Sequence, residues 1–195
     1  MADLSPTILA EILGPQQVMD LGIRPLWAPI PRIAGPAFTV RCPPGDHLML
    51  HAAIYQAPPG SVIVVESGDV THALAGGNVC AVAQRNGVAG FVLDGVIRDI
   101  AEVRQLGFPV FGRGVLPVPA GKAAALPLNV PIRCGGVPVQ AGDWVVADEE
   151  GIVVVPAALR DETLETGAAK QAKEAAQTLD EWERSHRARI AELLG

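Results

Sequence analysis

Two short stretches of this chain hold residue types that could do chemistry together. Arg98-Asp99 joins a cation that can grip a carboxylate to an oxygen ligand for a hard metal ion. Gly76-Gly77 lets backbone approach a ligand closely, and the amides of Asn78 and Val79 suit an anion where a helix begins. Both belong to one stretch, GGNVCAVAQRNGVAGFVLDGVIRD, from Gly76 to Asp99. In it, Asn78 to Asn86 has the length of a helix, Gly87 breaks that helix, and the apolar run Ala89 to Leu93 reads as a buried strand. Asp94-Gly95 reads as a turn, with Arg98-Asp99 at the start of another helix. One α-β-α unit thus positions both stretches. Neither is specific alone: an Arg-Asp pair is commonly a surface ion pair or a helix cap, and a glycine pair is usually just loop.

Other reactive groups are sparse. His47 and His51 stand four apart on a predicted helix from His47 to Gln56, but no glutamate occupies a zincin position, so they read as helix-face histidines. His72 and His186 show no ligand spacing. Lys122, Lys170 and Lys173 are the only lysines, and none lies in an apolar strand, which argues against a Schiff base. There is no GxSxG elbow and no Walker A loop. Glu66 and Asp69 fall near a strand end and could act behind a site.

The remaining elements follow from pattern. Ser5 to Leu13 reads as a helix with Ser5 as its cap and Pro6 in its first turn. Ala37 to Cys42 and Ser61 to Glu66 read as strands, with Ser67-Gly68-Asp69 a loop after the second. Ile100 to Leu106 is helical, Gly107 stops it, and Pro109 to Phe111 is a short strand. Gly112 to Lys122 is loop. Short β pieces then alternate with glycine turns: Val130 to Cys134, Val137 to Gln140, Trp144 to Ala147, and Ile152 to Val155. After Pro156, Ala157 to Leu194 reads as one long charged helix with a thin apolar stripe. The expectation is a single mixed α/β domain, residues 1–156 forming the core and 157–195 a helical arm.

Composition sets bounds. A length of 195 residues suits one domain with a proper core. With 49% hydrophobic but 4% aromatic residues, that core must be aliphatic. A net charge of −6 without a basic run argues against nucleic-acid binding. Cys42, Cys80 and Cys134 form no CxxC pair and read as reduced core thiols of a cytoplasmic protein. The N-terminus carries no signal-peptide pattern, and no run is long enough for a membrane span.

The Gly76–Asp99 stretch resembles the core motif of the RraA-like family, which includes metal-dependent 4-hydroxy-4-methyl-2-oxoglutarate aldolases. That motif is a glycine loop, about twenty residues, then Arg-Asp after a hydrophobic-x-Asp-Gly-x-x strand end. Here twenty residues separate Gly77 from Arg98. The likeness continues through Phe108 to Phe111, Gly142-Asp143, and Ala147 to Pro156, and covers roughly Gly35 to the C-terminal helix.

The resemblance implies a swivelling β/β/α-type domain, assembled as a trimer or a hexamer with sites between subunits. It implies that Asp99 binds a divalent ion, Mg²⁺ or Mn²⁺ or another. Arg98 would meet the oxygens of a small 2-oxo acid, and the Gly76-Gly77-Asn78-Val79 loop would hold its carboxylate. The activity implied is a class II lyase giving a pyruvate enolate, with oxaloacetate decarboxylation by the same machinery and a metal-bound water as proton donor. A glutamate of a neighbour's C-terminal region completes such sites, and Glu174 lies at the matching distance along the chain. One departure is visible: the characterised aldolases tend to have Asp where this chain has Gly77. The alternative is a non-catalytic member that, like RraA itself, restrains a ribonuclease by contact. A phosphohistidine swivelling domain ranks last, for want of a suitable histidine.

Overall fold

In the computed structural model, which describes residues 4–195, helix α1 (Pro6–Leu13) opens the chain. Ser5 caps it as the sequence predicts, its Oγ accepting from the Ile8 amide at 3.3 Å. The strand β1 (Arg24–Pro25) and the strand β2 (Ile33–Arg41) follow, then helix α2 (Leu48–Ala53) and the long strand β3 (Val62–Ala75). Helix α3 (Gly77–Arg85), strand β4 (Gly90–Ile97) and helix α4 (Ile100–Leu106) form the central unit. Short strands β5 (Val110–Gly112) and β6 (Gly114–Val115) come next, then a hairpin of β7 (Ile132–Cys134) and β8 (Val137–Val139). Strands β9 (Trp144–Asp148) and β10 (Gly151–Val155) precede helices α5 (Arg160–Ala175) and α6 (Leu179–Leu194).

The main sheet runs β1-β5-β4-β3-β2-β9-β10, with β6 pairing on β4. Strands β2, β3, β4 and β5 are parallel, as crossover helices require; β9 and β10 join antiparallel. Val18 bridges to Val153, so the chain entering one edge of the sheet meets the other edge. The sheet is thereby curled into a nearly closed barrel. The β7–β8 hairpin packs on one face of the central strands and helices α2, α3 and α4 on the other, the β/β/α layering of the expected fold.

Alternation along the strands builds both faces. Phe38, Val40, Ile63, Val65, Phe91 and Leu93 pack toward α2, α3 and α4. Ala37, Val62, Val64 and Val92 pack toward the hairpin. Burial on both sides explains why these strands read as continuous apolar runs. Each such side chain contributes about 1.5–3 kcal/mol on leaving water. Cys42, Cys80 and Cys134 are free thiols buried in this core, as expected.

Four expectations need correction. Ser67-Gly68-Asp69 is not a loop ending the strand. β3 continues through irregular pairing with β4, Asp69 opposite Gly95 and Ala75 opposite Ile97. Asp69 makes this continuation possible: it accepts from the Gly45 and Thr71 amides, both at 2.7 Å, and from Thr71 Oγ1 at 2.5 Å. Asp94-Gly95 is not a turn but lies inside β4. Asp94 pairs there with Arg113 at 2.5 Å and accepts from the Gly135 amide at 3.2 Å. Strand β6 interrupts the stretch read as loop from Gly112 to Lys122. Lastly, the terminal segment is two helices. Thr178 and Glu181 cap each other's backbone at the start of α6, a capping box that restarts the helix without proline.

Helix α5 packs on α1, where Gly167 leaves room for Leu4 and Lys170 reaches Glu11 at 2.6 Å. Helix α6 buries nothing, and Trp182 and Leu193 stand exposed on it. Among the described residues no helix is long and apolar enough to cross a membrane.

Candidate active site

The extra length of β3 brings its end, Ala73 to Ala75, beside the two chemistry-bearing stretches. The Arg98 amide donates to the Ala75 carbonyl at 2.9 Å, which fixes where β4 ends. Asp99 then adopts a left-handed backbone conformation (φ 57°, ψ 37°) as the cap of α4. An L-residue other than glycine, Asn or Asp rarely sits there, and the strain is of order 1–3 kcal/mol. The carbonyl of Asp99 accepts from the Glu102 and Val103 amides at 3.0 and 3.1 Å, anchoring the turn.

Helix α3 starts at Gly77, one residue before the sequence reading places it. Gly77 donates its amide to Asp99 Oδ2 at 3.2 Å, and Arg98 Nε lies 3.5 Å from the same oxygen. Gly76 stands in close approach: a Cβ there would meet Asp99 Oδ2 and come within 3.0 Å of Arg98 Cγ, so a side chain would push both groups aside. The first turn of α3, the Arg98 guanidinium and the Asp99 carboxylate therefore meet at one point. A cavity of about 60 Å³ opens there, lined by Gly76, Asn78, Val79, Arg98 and Asp99, with Ala73 and Ala75 behind.

Two further residues line the same cavity, and the sequence reading left them out of the site. His47 and His51 stack with ring centroids 4.1 Å apart. Helix α2 is shorter than the predicted one, and His47 precedes it as its cap position. His47 Nδ1 lies 3.4 Å from the Ala73 carbonyl oxygen. Burial pushes the His51 imidazole down to about 4, with neighbouring His47 adding to the effect. Burial lowers His47 as well. Cys80, in the second turn of α3, is pushed up to about 12 by burial and then by the Asp99 charge, so it is an inert thiol.

Glu102 was also missed. The space a side chain at position 77 would fill holds the Glu102 carboxylate, which reaches across from α4. Both residues line a shallow groove of about 390 Å³ that shares Asn78 with the cavity. Glycine at 77 is thus matched by a carboxylate from the next helix. Glu66 pairs with Arg41 at 2.9 Å, and Asp69 holds the β3 irregularity, so neither lines the cavity.

Glu174 lies elsewhere in the same chain. It pairs with Lys170 at 3.2 Å on α5 and does not line this cavity. No set of three His, Cys, Asp or Glu among the described residues is arranged to hold a metal. A single carboxylate next to an open cavity nevertheless fits a hard ion that keeps waters and takes oxygens from its ligand; it does not fit a structural zinc site.

Comparison with known proteins agrees with this architecture. The family described as RraA-like, Aldolase/RraA, matches residues 2–154. A protein of Halalkalibacterium halodurans named "Putative 4-hydroxy-4-methyl-2-oxoglutarate aldolase" is 43% identical over 146 residues, covering 74% of this chain and 70% of its own. The crystal structure of an uncharacterized protein from Pseudomonas syringae superposes with a TM-score of 0.79 at 31% identity, over 94% of this chain and 90% of that one. RraAS2 of Streptomyces coelicolor, an unusual member of the RNase ES inhibitor RraA protein family, gives 0.72 at 31% identity, over 92% and 89%. The chain belongs to the RraA-like family of Aldolase/RraA proteins.

Proposed function

We propose that this protein is a divalent-metal-dependent lyase that cleaves a 4-hydroxy-2-oxo acid of the 4-hydroxy-4-methyl-2-oxoglutarate or 4-carboxy-4-hydroxy-2-oxoadipate type to a pyruvate enolate. The observation that carries this is the convergence of Asp99, Arg98 and the start of α3 on one cavity. The name carried by the Halalkalibacterium relative supports it.

Asp99 would hold the ion, Mg²⁺ or Mn²⁺. When bound, such an ion stabilises negative charge on the keto oxygen as a Lewis acid. The amides of Asn78 and Val79 point from the first turn of a nine-residue helix and receive the substrate carboxylate. Arg98 pairs with the oxygens on which charge grows as the C3–C4 bond breaks, a contact stronger in the transition state than in the ground state. Oxaloacetate should lose CO₂ at the same site, because that reaction leaves the same enolate. The test is Mg²⁺- or Mn²⁺-dependent pyruvate release from oxaloacetate, expected to collapse on addition of EDTA and to return with excess metal. Activity indifferent to chelation would sink the metal mechanism.

The active assembly in this reading is a homotrimer or hexamer in which Glu174 reaches a neighbour's site. In its own chain Glu174 pairs with Lys170 on α5 and does not line the cavity, while the exposed apolar residues of α6 offer a face to a second copy. Glu174→Gln should lower turnover without changing the light-scattering mass, and truncation before Ala169 should lower it further. A fully active monomer at assay concentration would contradict this. The second reading, a ribonuclease-restraining protein without catalysis, is favoured by the likeness to RraAS2. A built cation–carboxylate–anion site has no use in that role.

A further inference from the structure

We propose that His51, stacked on His47, is the catalytic base of this site, taking the C4 hydroxyl proton of the substrate at Nε2 and returning it to C3 of the enolate. This rests on the lyase reading above.

The two imidazoles line the same cavity as Arg98 and Asp99. Their rings stack with centroids 4.1 Å apart, and His47 Nδ1 lies 3.4 Å from the Ala73 carbonyl oxygen near the end of β3. A neutral imidazole has one donor nitrogen and one acceptor. His51 Nε2 is buried and has no hydrogen-bond partner among the described residues. The proposed step uses the tautomer that leaves the lone pair on Nε2. An unpartnered buried polar atom costs about 1–3 kcal/mol, and a substrate hydroxyl would relieve it.

The surroundings keep the ring neutral. Burial is the main cause, and His47, Lys122 and Arg98 all oppose protonation of His51. Asp46, across His47, and Asp99 in the cavity wall are the opposing charges. The free site therefore presents a base and not an acid at neutral pH. A dianionic substrate beside the ring raises its proton affinity when it is needed.

The step balances. The hydroxyl O–H bond breaks and its proton goes to Nε2; the C4–O pair becomes a carbonyl as the C3–C4 bond breaks. The electrons of that bond pass into the 2-oxo group as the enolate, and the imidazolium proton then forms the new C3–H bond. Oxaloacetate has no C4 hydroxyl proton, so its C3–C4 bond breaks without a base.

His51→Gln and His51→Ala separate the two reactions. Cleavage of 4-hydroxy-4-methyl-2-oxoglutarate should fall in kcat by about 10²–10⁴, while oxaloacetate decarboxylation falls by no more than about tenfold. Exchange of the pyruvate methyl protons with D₂O should fall with cleavage, and the acidic limb of the wild-type kcat/KM profile should vanish. Residual decarboxylation serves as the control for folding and metal loading. Equal loss of both reactions, or normal cleavage in either variant, would overturn the assignment while leaving the lyase reading intact. Wild-type protein inert toward both substrates would instead overturn the lyase reading and this step with it.

Discussion

Asp99→Asn should lower both cleavage and decarboxylation by about 10²–10³-fold or more, because it weakens the hold on the ion that stabilises the developing oxyanion. The substitution is chosen for the backbone. Asp99 sits at φ 57°, and asparagine tolerates that conformation where alanine does not. The amide also keeps the size of the side chain and the cap of α4. What it removes is charge, and with it the anionic carboxylate ligand for a hard cation. Asp99→Ala should lose as much activity and also some thermal stability, because the strained backbone then has no polar side chain to favour it. A melting curve separates the two effects. Near-normal kinetics in Asp99→Asn, with unchanged circular dichroism, would show that the site lies elsewhere.

Arg98→Ala should cost a comparable factor, about 10²–10³ in kcat/KM. Its backbone amide still binds the Ala75 carbonyl, so the end of β4 and the turn into α4 survive the substitution. The loss is of the guanidinium alone. Arg98→Lys should recover only part of the rate, since a point charge cannot pair with two oxygens in a plane. Full recovery by lysine would mean that Arg98 supplies bulk charge and not a directed contact.

The Gly76–Asp99 unit was legible because its signals are local. Gly87 ends α3, Gly107 ends α4, and both act through the positive φ that only the turn needs. The apolar runs at Ile63–Val65 and Phe91–Leu93 announce strands buried on both faces. What stayed hidden depends on contacts distant in sequence. Ser67-Gly68-Asp69 has loop composition, yet Asp69 pairs with Gly95 of β4 and accepts from the Thr71 amide within β3 and the Gly45 amide of a neighbouring loop. Asp94-Gly95 looks like a turn until Arg113 arrives to neutralise Asp94 inside the sheet.

The same extension of β3 explains the missed histidines. The four-residue spacing of His47 and His51 was visible, but only the end of β3, at Ala73 and Ala75, turns those rings into cavity wall. Glu102 was hidden because its place over Gly77 depends on the angle between α3 and α4, which no local pattern encodes. At the C-terminus, Thr178-x-x-Glu181 was a readable restart signal within a segment otherwise uniform in helix formers.

A crystal soaked with Mg²⁺ and pyruvate tests the central claim most directly. The expected result is an ion on the Asp99 carboxylate, with the pyruvate carboxylate at the amides of Asn78 and Val79 and its oxygens within reach of Arg98. Pyruvate bound away from this cavity, or an ion that ignores Asp99, would contradict it.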